Sequence, residues 1–153
     1  MGVMSTTAPP TFDDIEAAAD RIKDRVRRTP CLRTRFVRNP IHGGDVLIKL
    51  ECLQVTGSFK ARGANNAILS LDDAAVKRGV ITASSGNHGT AVAYAARASG
   101  AKAYVYLPET TPADKIAKLR QWDAEVVIEG AVWDEANAAA LARAERDGLT
   151  YIA

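Results

Sequence analysis

Val80-Ile81-Thr82-Ala83-Ser84-Ser85-Gly86-Asn87-His88-Gly89 is the stretch on which the fold turns. Four residues suited to a short buried strand run into a small polar loop, and an alanine-rich helical pattern follows to about Ser99. The same order then recurs. A strand at Ala103–Leu107 passes through Pro108 to a helix at Ala113–Trp122. A strand at Glu125–Ile128 leads to a helix at Asp134–Asp147, and Thr150–Ala153 begins a fourth strand. Short apolar strands alternating with helices predict right-handed βαβ units on a parallel sheet with flanking helices. Residues 79–153 therefore read as a small three-layer α/β domain. No sequence repeat accompanies the repeated architecture.

Toward the amino end the pattern is less regular. Ile15, Ala18, Ala19, Ile22 and Val26 recur at helical spacing, predicting a helix over Asp13–Arg27. Thr29-Pro30 ends it, because the residue before proline is driven out of the α region. Two strands are predicted at Leu32–Val37 and Val46–Leu50, with turn material from Asn39-Pro40 to Gly43-Gly44 between them. Gly57-Ser58 opens a helix to about Leu71. Residues 13–78 thus read as the amino-terminal portion of a larger, incomplete α/β domain, and residues 1–12 as a disordered leader. The strands of this portion lack an obvious partner layer and the last strand stops at Ala153. The expectation is a fragment or a truncated product.

Composition excludes several classes. The 153 residues are 47% hydrophobic and 25% charged, the balance of a soluble globular protein. Twenty basic residues against eighteen acidic ones leave a net charge of +2, which gives no reason to expect a nucleic-acid or membrane partner. Cys31 and Cys52 stand outside any C-x-x-C and far from both histidines, so no metal is expected, and two reduced thiols in a cytoplasmic protein are. The start has no basic region followed by an apolar run, so it is not a signal peptide.

Two segments carry chemistry. In Thr56-Gly57-Ser58-Phe59-Lys60-Ala61-Arg62-Gly63-Ala64 a lysine sits at a helix start, beside an aromatic ring and near Arg62. A helix amino end and a neighbouring cation both disfavour a protonated amine. A neutral amine is what attack on an aldehyde needs. An isolated lysine would be read as solvated, but the surrounding string reverses that reading. In Ser84–Gly89 two hydroxyls, an amide and an imidazole converge where a strand meets a helix, and glycines allow close backbone approach. That is a cradle for a carboxylate. A tight turn with a local cap is the competing reading.

The run from Lys49-Leu50-Glu51 through Gln54 to Ala64, followed by Ser-Ser-Gly-Asn-His-Gly at 84–89, resembles the serine/threonine dehydratases and serine racemases. These are pyridoxal-phosphate enzymes with a tryptophan synthase β-like fold. Thr29-Pro30, Pro108, Lys115-Ile116, Arg120, Ala124-Glu125-Val126 and Trp133-Asp134-Glu135-Ala136 fit the same pattern, so the resemblance covers about Phe12 to Ala153. It implies that Lys60 holds the cofactor as a Schiff base and removes the substrate α-proton. Phe59 would border the cofactor ring and Asn87 would hydrogen-bond its hydroxyl. Ser84, Ser85, Gly86, Asn87 and His88 would hold the substrate carboxylate, with Ser85 also a candidate proton donor on the opposite face.

The implied activity is an ammonia-lyase converting L-threonine or L-serine to a 2-oxo acid and ammonia, as a homodimer at full length. Family members are longer, and their glycine-rich phosphate loop and pyridine-nitrogen partner lie beyond Ala153. Asp123 stands where a glycine is usual. Animal serine racemases carry an arginine one turn into the last long helix, where Asn137 lies nearby here, and this leans toward dehydratase. A serine or hydroxyaspartate racemase/dehydratase and a non-catalytic α/β fragment are the alternatives. β-Substitution enzymes fit less well, because Phe59, Ala61 and His88 depart from their motifs.

Overall fold

The computed structural model describes residues 9–34 and 46–153. In chain order the elements are α1 (Phe12–Ile22), β1 (Cys31–Thr34), β2 (Val46–Lys49), α2 (Lys60–Leu69), α3 (Asp73–Arg78) and β3 (Val80–Ala83). They continue as α4 (Asn87–Ala98), β4 (Ala103–Leu107), α5 (Ala113–Arg120), β5 (Glu125–Ile128), α6 (Trp133–Asp147) and β6 (Thr150–Tyr151). A single 3₁₀ turn at Glu51–Leu53 joins β2 to the approach of α2.

The fold is α/β, a parallel sheet between helices. Its spatial order is β5-β4-β3-β6. Val80 lies beside Ala103 on one side and Thr150 on the other. Side chains alternate across it as a pleat demands. Ala103, Val105 and Leu107 of β4 enter a core with Ala91, Val92 and Leu119 on one face. Tyr106 of β4 and Ile81 of β3 meet Ala136, Ala140 and Ala144 of α6 on the other. β3 is buried along its whole length because both faces are covered.

α4 is the hub of the first layer. Ala91, Val92, Ala93, Ala95 and Ala96 are completely buried. Only short side chains allow a helix to be sandwiched closely between a sheet and a second helix. That second helix is α2, whose Ala64 and Ile68 belong to the same core as Val80 and Val92. The segment before Gly79, expected to lack packing partners, therefore has one in α4. β1 and β2 supply each other's partner, pairing antiparallel with Cys31 opposite Lys49.

Three local differences from the sequence reading have physical causes. α1 ends at Ile22 rather than Arg27, because the Arg25 carbonyl accepts from the Tyr94 hydroxyl at 2.7 Å and the Arg25 guanidinium reaches the Ala98 carbonyl. The chain is thereby drawn onto α4. Thr11 caps α1 through a reciprocal pair with Asp14, and the helix begins at Phe12, a residue assigned to the leader. α3, absent from the sequence reading, is six residues long and is started by the Asp72 carboxylate accepting from the Ala75 amide at 2.7 Å. The end of the first predicted strand (35–37), the 39–44 turn and residues 1–8 lie outside the described residues. Asp123 has a φ of +58°, the left-handed region that favours glycine.

Candidate active site

The topology itself creates a crevice. From β3 the chain moves outward to β4 and β5 through α4 and α5, both on one face. It then returns through α6 on the opposite face to place β6 on the other side of β3. At such a reversal the loops leaving neighbouring strands diverge, and ligands of open α/β sheets bind beyond the carboxyl ends there. The loop leaving β3 is Ser84–Gly86. The segment leaving β6 is Ile152-Ala153.

A cleft of about 270 Å³ opens at this point, lined by Phe59, Lys60, Gly63, His88 and Ile152 among others. It brings the two sequence-predicted segments together. Lys60 is the first residue of α2 and is exposed, with its amine 5.6 Å from the Phe59 ring centroid. Phe59 is also 61% exposed, unusual for a large aromatic. Asn87 heads α4 and is exposed, while Ser84 and Ser85 are half-buried and Gly86 is exposed. Of the predicted loop residues, His88 lines the cleft; Ser84, Ser85, Gly86 and Asn87 precede it directly without being part of the lining.

α4 has no side-chain cap. Its first-turn amides, at Asn87, His88 and Gly89, therefore have no intrahelical acceptor and carry the positive end of the helix dipole. The Ser84 hydroxyl accepts from the Gly86 amide at 3.3 Å, and the Thr90 hydroxyl donates to the Gly86 carbonyl at 3.1 Å. Gly86 leaves open space on its ligand side, since an added Cβ would meet only Ser84 Oγ at 3.9 Å. Gly89 is different. An added Cβ there would stand 2.0 Å from the Ser84 carbonyl oxygen, so this glycine serves the loop's own backbone rather than a ligand.

Two predicted roles are altered by partners. His88 Nε2 lies 3.1 Å from the Ile152 carbonyl. That oxygen only accepts, so Nε2 is protonated and donates to it, and this nitrogen is not available to a carboxylate. Arg62, expected to act on the charge of Lys60, instead grips Glu51 with two bonds, Nε to Oε2 at 2.9 Å and Nη2 to Oε1 at 2.7 Å.

Glu51 also accepts from the Thr29 hydroxyl at 2.5 Å. Arg62 holds its carboxyl down to about 2 from an ordinary 4.5; burial opposes this, and Thr29 and Gln54 assist. A depressed carboxylate contributes stability that is present above pH 4.5 and is lost as pH falls toward 2. Stability measured by urea unfolding should therefore decline through that window by about 1.5–3 kcal/mol. Glu51→Gln should flatten the decline, and an unchanged slope would show that the pair does not carry it.

Sequence reasoning named Trp133 and Asn137 but missed the bonds they make at this end of the sheet. The Trp133 indole donates to the Ala83 carbonyl at 2.8 Å, just before the Ser84 loop. Tyr151 donates to Asn137 Oδ1 at 2.5 Å. Both bonds join groups far apart in sequence, and no motif signals them.

A lysine at a helix start and His88 in the uncapped first turn of a second helix line one cleft at the switch point of a parallel sheet. The family model for pyridoxal-phosphate dependent enzymes matches residues 22–153, and the chain belongs to that family. It is 42% identical over 142 residues to an L-threonine ammonia-lyase of Thermotoga maritima, covering 93% of this chain and 35% of that protein. It is 38% identical to the L-threonine dehydratase catabolic TdcB of Staphylococcus aureus, covering 93% and 41% respectively. Its fold superimposes on maize serine racemase with a TM-score of 0.83 at 35% identity, over 92% of this chain and 43% of that one. The chain thus spans between a third and a half of the length of these relatives.

The residues present fit the aldehyde and ring of the cofactor. An exposed primary amine opens onto the cleft, and the unpaired amides of α4 lie at its edge. Phosphate binding needs several backbone donors together. Among the described residues no second glycine-rich loop occurs to supply them.

Proposed function

We propose that this chain carries the lysine and carboxylate-binding half of a pyridoxal-phosphate-dependent ammonia-lyase acting on L-threonine or L-serine. The observation that supports this reading above others is that Lys60 and His88 of the 84–89 segment, distant in sequence, line one cleft at the switch point. When bound, pyridoxal phosphate supplies the electron sink for the pair left behind as the substrate Cα–H bond breaks.

The chain's own residues do the rest. The Lys60 amine would hold the cofactor aldehyde carbon and, released when the substrate amine takes its place on that carbon, would take the α-proton. Phe59 would border the ring on one side and Asn87 would hydrogen-bond its hydroxyl. Ser84, Ser85, Gly86 and the first-turn amides at Asn87 and His88 orient the substrate carboxylate, so that the Cα–H bond points at Lys60. Ser85 delivers a proton on the face opposite Lys60. The β-hydroxyl leaves as water, and hydrolysis gives the 2-oxo acid and ammonia.

At full length the protein is proposed to act as a cytoplasmic homodimer. Among the described residues no helix is long and apolar enough to cross a membrane. A serine racemase/dehydratase built on the same site is the second reading, favoured by the likeness to the maize enzyme. Pyruvate release from L-serine without D-serine would separate the two.

The cofactor site is tested by incubating the protein with pyridoxal phosphate, reducing with borohydride and mapping the labelled peptide. Label concentrated on Lys60 is expected; label spread evenly over exposed lysines such as Lys77 and Lys118 overturns the assignment. Assayed alone with cofactor and L-threonine, these 153 residues are expected to show no sustained 2-oxobutyrate release above the rate of free cofactor. Sustained turnover would show that the phosphate is held here without a second loop.

A further inference from the structure

We propose that Glu51 and Arg62 are positioning residues whose paired bonds fix the first turn of α2, so that the Lys60 amine faces the amino end of α4 across the cleft. The inference rests on the reading of Lys60 as the cofactor-holding lysine.

That helix packs on α4 and α1, but among the described residues its own start carries no side-chain lock apart from this pair. α2 has no side-chain cap. The chain enters it through Gly57 at a φ of +79°, and Phe59 and Lys60 are both exposed. The core shared with α4 includes Ala64 and Ile68, which fix the distance of the helix axis. A surface of small side chains resists roll and slide weakly, having few ridges to interlock. Lys60 sits at the free end of this arrangement, where a small rotation moves its amine most.

Arg62 stands two residues on, about 200° around the helix from Lys60, and part of it also lines the cleft. Its planar guanidinium meets the Glu51 carboxylate at two points, which defines orientation as well as distance. Arg62 Nη2 also donates to the Arg27 carbonyl at 3.1 Å. The Gln54 amide donates to that same carbonyl at 2.9 Å and accepts from the Arg27 amide at 2.8 Å. Glu51 takes its third bond from Thr29, whose carbonyl accepts from Lys49 Nζ at 3.0 Å. One arginine on the lysine's own turn is thus tied to two separate segments, 27–29 and 51–54, and these are tied to each other. Thr29 and Gln54 are at most 5% exposed, so the frame to which α2 is clamped is itself fixed.

A lysine in place of Arg62 would keep the charge and lose the fork. The experiment measures borohydride-trapped labelling of Lys60 by pyridoxal phosphate, as a ratio to Lys77 in the same sample, for the native protein, Arg62→Lys and Glu51→Gln. Thermal unfolding of each is followed in parallel. The ratio reads the placement of one amine, and a purely structural loss shared by the whole chain would not move it in protein that remains folded. The expected result is a ratio about ten- to a hundredfold lower in both variants, with cooperative unfolding retained. An unchanged ratio in either folded variant overturns the positioning role. Loss of cooperative unfolding in both would also overturn it, since the pair would then be holding the fold. A native protein with no preference for Lys60 over Lys77 would instead overturn the reading of Lys60 itself.

Discussion

Lys60→Ala is expected to abolish covalent attachment of pyridoxal phosphate at the cleft while leaving the fold intact. In a chain of the relatives' full length it should also lower L-threonine turnover by about 10²–10⁴ or more, because one side chain serves as both cofactor anchor and proton acceptor. No neighbouring amine substitutes for it. Lys49 donates to the Thr29 carbonyl at 3.0 Å, Lys23 is paired with Asp20 at 2.8 Å and Lys102 with Glu125 at 2.7 Å. Among the described residues, Lys60 is the lysine that lines this cleft. The substitution should be nearly silent in stability, since Lys60 is exposed at the first position of α2 and alanine is the best helix former. Absorbance of the lysine-bound cofactor and a melting curve check the two halves of the expectation. Cofactor absorbance retained by the variant would move the anchor elsewhere.

The sequence displayed the local units of this fold well and their assembly poorly. Strands β3, β4 and β5 are short apolar runs between helical patterns, and each was legible to the residue. The placement of β6 beside β3 was not, because strand order depends on which side a crossover returns, and that is decided by packing across the whole sheet. The docking of α2 on α4 was equally hidden. Alanines at 64, 91 and 95 carry little hydrophobicity, although their small volume is what permits the contact. The site shows the same division. Lys60 and the 84–89 loop were found through residue type and order. The partners that fix them, Ile152 for His88 and Glu51 for Arg62, lie 64 and 11 residues away along the chain. α3 escaped because six residues are too few to show a period, and its start depends on the Asp72 cap.

Gly89→Ala is expected to destabilise the protein by about 3 kcal/mol or more and to displace the Ser84–Asn87 loop. In an ordinary helix interior this exchange stabilises by roughly 0.5–1 kcal/mol, because glycine loses more backbone entropy on folding. The sign reverses here for a steric reason. The new Cβ would lie 2.0 Å from the Ser84 carbonyl oxygen, 3.0 Å from its carbon and 3.4 Å from Leu119 Cδ2. The first two are backbone atoms and have no rotamer through which to escape. Nor does α4 have room to recede, since Ala91, Val92 and Ala95 are completely buried between the sheet and α2. The loop must therefore move by about an ångström or more, displacing Ser84 and Ser85. Overpacking on this scale typically costs about 1–3 kcal/mol and more where backbone opposes backbone. For a chain of this size that lowers Tm by about 10 °C. Gly63→Ala is the matched control, a helical glycine of α2 with no atom within 4 Å of an added Cβ. It should raise Tm slightly. Differential scanning of the two variants compares the same chemical change at two helical positions. If Gly89→Ala melts with or above Gly63→Ala, the closure of the Ser84 carbonyl onto α4 is not the constraint that shapes this loop.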